Sequence, residues 1–71
     1  MKSSLSKTLG KNVRELRLKR GWSQEELAAQ AGLSPNFIGY VERGERGVRI
    51  GNVEKIAIAL GIHPKELFRG Y

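Results

Sequence analysis

Cysteine is absent from the 71 residues, which excludes a disulfide framework and a thiolate metal site and leaves helix packing to supply stability. Such usage is compatible with a reducing compartment. The single histidine, His63, has no cysteine or second histidine to complete a metal site, so no metal is expected. No run of ~18 apolar residues occurs, and Met1 to Leu9 lacks the apolar centre of a signal peptide. The expectation is a chain that is neither inserted in a membrane nor exported, hence cytoplasmic. Strand-like alternation, internal repeats at a period of ~20 or more and low-complexity tracts are also missing. Without a thiol nucleophile or a carboxylate pair set for a cleft, the chain reads as a non-enzyme needing no cofactor. Its length suits a single domain, because two compact units would each bury too little apolar surface to offset chain entropy.

Acidic residues are scarce: seven Asp and Glu face thirteen Lys and Arg, for a net charge of +6. That balance favours a polyanionic partner. Position adds more. Residues 1 to 20 hold seven cations and one Glu, residues 21 to 42 hold three Glu and no cation, and residues 43 to 49 hold three Arg and one Glu. A neutral segment bracketed by cations suits insertion into a groove, with side chains for bases at its centre and charge for phosphates at its edges.

Caps, breakers and apolar spacing predict five helices, at 6 to 20, 24 to 31, 35 to 43, 50 to 60 and 64 to 69. In the first, Leu9, Val13 and Leu16 recur at helical spacing, while Lys7, Lys11, Arg14 and Lys19 make a basic outer face. Three starts share one grammar, an apolar residue before a cap that meets another five positions on: Trp22, Ser23 and Leu27; Leu33, Ser34 and Ile38; Ile62, His63 and Leu67. Glu26 would complete a capping box with Ser23, and Pro35 and Pro64 take first helical positions, where a missing N–H costs nothing. The fourth segment places Ile50, Val53, Ile56, Ala57 and Leu60 on a core stripe.

The stretch from Gln24 to Arg43 then reads as helix, tight turn, helix. Ala28 is small enough for a close crossing, Gly32 permits the positive φ of a short turn, and Ile38 and Val41 pin the second helix to the core. Pro35, Asn36, Gly39, Tyr40 and Arg43 are left facing outward, on a helix whose width suits the major groove.

With these residues in place, GWSQEELAAQAGLSPNFIGYVERGER followed by VEKIAIALG resembles the phage-repressor helix-turn-helix family of Cro and cI type, also called XRE, over residues 9 to 68. The resemblance implies an all-α, compact five-helix, lambda-repressor-like domain over residues 1–71. It also implies a sequence-specific regulator of transcription that binds double-stranded DNA, usually as a homodimer on an inverted repeat. By the same resemblance, Pro35, Asn36, Phe37 and Tyr40 would meet bases. Arg14, Gln24, Ser34, Arg43 and Arg46 would meet phosphates, and Arg17 with Glu42 would form a structural ion pair. Asn36 is suited to pair bidentately with adenine, and Pro35 offers only an apolar edge to a thymine methyl. Pro35 departs from the polar residue common there, and Gly47, Val48, Arg49 and Gly51 depart from the usual proline and Ser/Thr cap. The wording GERGVRI is closer to the controller proteins of restriction-modification systems.

Ile58 lies off the core stripe and, with Phe68 and Tyr71, offers an apolar patch suited to a dimer interface. Two other readings stay open. One is a protein-interaction module that keeps the fold without binding DNA. The other is RNA binding, for which the usual aromatic sheet pairs and GXXG loop are missing.

Overall fold

The helix starts at Gln24 and Pro35 are each decided by a local oxygen. The computed structural model describes residues 4–71 and contains α1 Ser4–Lys19, α2 Gln24–Ala31, α3 Pro35–Glu42 and α4 Ile50–Leu60, followed by a 3-10 turn over Pro64–Phe68. Ser23 Oγ accepts from the Glu26 amide at 3.0 Å and Ser34 Oγ from the Phe37 amide at 3.1 Å, so α2 and α3 each begin on a side-chain cap. Glu26 turns its carboxylate to Gln30, 3.0 Å away, so the box expected at Ser23 is held from the serine side. At α4 the N-cap is Arg49, with no side-chain hydrogen bond.

Between α2 and α3 the chain reverses at Gly32, whose φ of 69° is left-handed and whose N–H reaches the carbonyls of Ala28 and Ala29. Leu33 then donates to the Ala28 carbonyl at 2.9 Å. This closes the helix end within two residues and lets α3 cross α2 immediately.

The expected five-helix architecture is corrected to four α-helices and a turn. The last segment has five residues, and Gly70, at a φ of 87°, closes it. So short a segment gains few i→i+4 bonds against the cost of nucleating an α-helix, and the tighter 3-10 form satisfies its ends instead. His63 Nδ1 accepts from the Lys65 amide at 3.1 Å, and Asn12 of α1 donates to the carbonyls of Leu67 and Arg69 at 2.9 and 3.0 Å. The C-terminal turn is therefore tied to α1 by a side chain that the apolar pattern left unassigned.

Leu9 and Val13 of α1, Leu27 and Ala28 of α2, Ile38 and Val41 of α3, Val53, Ile56, Ala57 and Leu60 of α4, and Leu67 form one core. Ile50 is the exception to the predicted stripe. It is 79% exposed, because the first residue of α4 overhangs the rim of the core one turn before Val53. Arg20 closes the other end of α4: its guanidinium donates to the Leu60 carbonyl and lies 4.9 Å from the centre of the Trp22 ring.

Candidate nucleic-acid interface

Helix α3 presents an outer edge because Ile38 and Val41 are fully buried while Pro35 and Asn36 at its N-terminus are exposed. Arg43 is its C-cap, one residue beyond the helix, and is exposed as well. Gly39, expected to face outward, is instead buried. A Cβ there would lie 3.2 Å from Arg43 Nη1 and 3.6 Å from Gln24 Oε1, so those two side chains close over the middle of α3. Gln24, the first residue of α2, thus reaches across to the next helix.

The C-terminal end of α3 is held by a buried network. Arg17 Nε and Nη2 donate to Glu42 Oε2 and Oε1 at 2.7 and 3.0 Å, and Arg17 Nη1 donates to the Trp22 carbonyl at 2.8 Å. Gln24 Nε2 adds a fourth bond to Glu42 Oε1 at 3.2 Å. The Arg17 and Glu42 side chains are only 8% and 3% exposed. Hydrogen bonding to Glu42 holds the Arg17 proton above the ordinary arginine range, against the opposing effect of burial. Two-pronged geometry of this kind fixes direction as well as distance.

The aromatic residues divide their surfaces. Phe37 packs partly against the core and its ring is stacked with that of Tyr40, with centroids 6.1 Å apart and planes 14° apart. The Tyr40 hydroxyl donates to the Arg46 carbonyl. Tyr40 therefore ties the loop after α3 to the helix, and what it offers outward is the ring. Ser34 Oγ is engaged as the α3 cap, with its own O–H still able to donate.

Cations surround this edge. Arg14 and Arg46 are exposed, and Arg43 lies 3.9 Å from Glu45 in a loose surface pair. Of the basic residues in α1 and the turn after it, Arg17 is buried and Arg20 is exposed but bonded to the Leu60 carbonyl, whereas Lys7, Lys11, Arg14 and Lys19 are exposed. Away from α3, Ile58 and Tyr71 are 77% and 71% exposed. Phe68 is half-buried beside a groove of about 370 Å³ that Leu5, Leu9, Val48, Ile50 and Val53 also line. No helix among the described residues is long and apolar enough to cross a membrane.

A short capped helix, rigidly mounted on the helix before it and flanked by cations, defines a helix-turn-helix DNA-binding protein. The Helix-turn-helix family model matches residues 13–67, and the chain belongs to that family. It is 43% identical over 68 residues to control protein C.BamHI of Bacillus amyloliquefaciens, covering 94% of this chain and 84% of the relative. The restriction-modification controller protein C.AhdI of Aeromonas hydrophila superposes with a TM-score of 0.84 at 48% identity, over 89% of this chain and 96% of that one. A hypothetical transcription factor of Neisseria meningitidis is 43% identical over 63 residues; the match spans 89% of this chain but 59% of that relative's length. The similarity to controller proteins accords with the GERGVRI wording. Taken together, the fold, the family and these relatives make the chain a DNA-binding regulator of transcription.

Proposed function

We propose that this chain is a regulator of the restriction-modification controller type that binds an inverted repeat in double-stranded DNA as a homodimer, with α3 in the major groove. The observation that carries the reading is the mounting of α3: its exposed edge stands on a base fixed by Arg17, Glu42 and Gln24. Asn36 reads bases with Pro35, and the Phe37 and Tyr40 rings supply apolar contact. Arg14, Gln24, Ser34, Arg43 and Arg46 meet phosphates on either side. Exposed Ile58 and Tyr71, with the rim of Phe68, supply the apolar surface for a second copy.

Selection of bound duplexes from a random pool, followed by titration at several salt concentrations, tests this reading. Two half-sites about one helical turn apart are expected. Asn36→Ala should narrow the gap between selected and scrambled duplexes by ~1 to 3 kcal/mol. Tyr40→Phe should keep that gap, since the hydroxyl is spent on the loop, whereas Arg46→Ala should weaken all duplexes alike and flatten the salt slope by about one unit. A chain with no salt-sensitive duplex binding would be an interaction module instead.

A further inference from the structure

Gly10 sits in the interior of α1, where glycine is a poor helix former and needs a reason. The reason is α3. A Cβ at this position would fall within 3.0 Å of the Val41 and Glu42 carbonyl oxygens and 3.1 Å from the Glu42 carbonyl carbon. All three are backbone atoms, which cannot rotate aside as the end of a side chain can, so room would come only from moving α3 off α1. Three residues earlier, on the same side of α1, Lys7 packs against Gly44, where a Cβ would lie 3.2 Å from the Lys7 Cα. About two turns later the same helix sends Arg17 to Glu42, the residue whose carbonyl touches Gly10. Helix α1 therefore grips the last turn of α3 twice, by backbone contact and by the ion pair.

We infer that Gly10 is a positioning residue for DNA recognition. By letting the two backbones touch, it sets how far α3 stands from the basic face of α1, so that Asn36 and Arg14 reach one duplex together. Hydrogen bonds to base edges lose their geometry on displacements of ~1 Å, whereas attraction between cations and phosphates varies slowly with distance. A methyl group at position 10 thus affects sequence discrimination first. The inference rests on the proposed sequence-specific binding, and it concerns a residue that touches no DNA.

The test compares Gly10→Ala with the wild type on the selected duplex and on a scrambled one, under conditions where circular dichroism shows both proteins folded. Affinity for the selected duplex should fall ~10-fold or more, while affinity for the scrambled duplex stays within ~2-fold and its salt slope is unchanged. The same pair is made in a Gly51→Ala background, which adds helix propensity where a Cβ meets nothing within 4 Å. Discrimination should remain lost there although stability is raised. Full discrimination in folded Gly10→Ala protein overturns the inference, as does its return on stabilisation, or a variant unfolded in both backgrounds, since the glycine would then serve folding alone. A wild type that does not discriminate between duplexes overturns the functional reading before any variant is made, and this inference with it.

Discussion

At the scale of single residues, two arginines of similar appearance in the sequence are engaged by the fold itself. Arg17 is buried against Glu42, and Arg20 closes the end of α4. Replacing Arg17 by Met strands the Glu42 carboxylate in a site where its side chain is 3% exposed. The expected loss is ~3 to 5 kcal/mol, and Arg17→Met with Glu42→Leu should recover much of it; urea unfolding of the three proteins checks this. The guanidinium's folded-state pKa is raised. The Arg17 contribution is therefore fully present below the ordinary arginine value and lost only as pH rises beyond it, well outside the neutral range. Neither arginine's partner can be read from composition, and Arg17 was placed only through the family resemblance.

At the scale of elements, the boundaries of α2 and α4 follow from sequence because each is set locally. Helix α2 begins beside Ser23 and ends at Gly32; α4 ends at Gly61, whose φ is 69°. Two glycines should respond in opposite ways to alanine. At Gly51, on α4, a Cβ meets open space, so Gly51→Ala should stabilise by ~0.5 to 1 kcal/mol through reduced freedom of the unfolded chain. At Gly32 the backbone is left-handed at a φ of 69°, so Gly32→Ala should cost ~1 kcal/mol or more. Melting temperatures should move up and down respectively, by roughly 4 to 8 °C per kcal/mol for a domain of this size. The last segment, read from sequence as an α-helix, is a 3-10 turn because five residues gain too few i→i+4 bonds, and its bonds to Asn12, far away in the chain, were not legible.

For the whole molecule, the extents of 29 × 22 × 21 Å bear on how two copies meet DNA. The proposed two-fold dimer requires its two α3 helices to lie about one turn of B-DNA, ~34 Å, apart. Ile58, 77% exposed on the side of α4 away from the core, is the test of that arrangement. Ile58→Glu should shift the protein towards monomer in sedimentation velocity runs and reduce binding to the full repeat more than to an isolated half-site. An unchanged sedimentation coefficient would take Ile58 out of the interface.

The sequence by itself determined the four α-helices, the caps at Ser23, Ser34 and His63, the turn at Gly32 and most of the core, because these depend on neighbours within a few positions and on apolar period. Inward Ile38 and Val41, and exposed Asn36, were legible for the same reason. Tertiary structure alone decided that Gly39 is covered by Gln24 and Arg43, that the Tyr40 hydroxyl serves the loop, that Ile50 overhangs the core, and that Gly10 admits the backbone of α3. The surroundings of Tyr40 and Ile50 depend on the course of the loop between α3 and α4, and those of Gly39 and Gly10 on where a second helix passes. That path is set by packing the whole core, and no window of adjacent residues contains it.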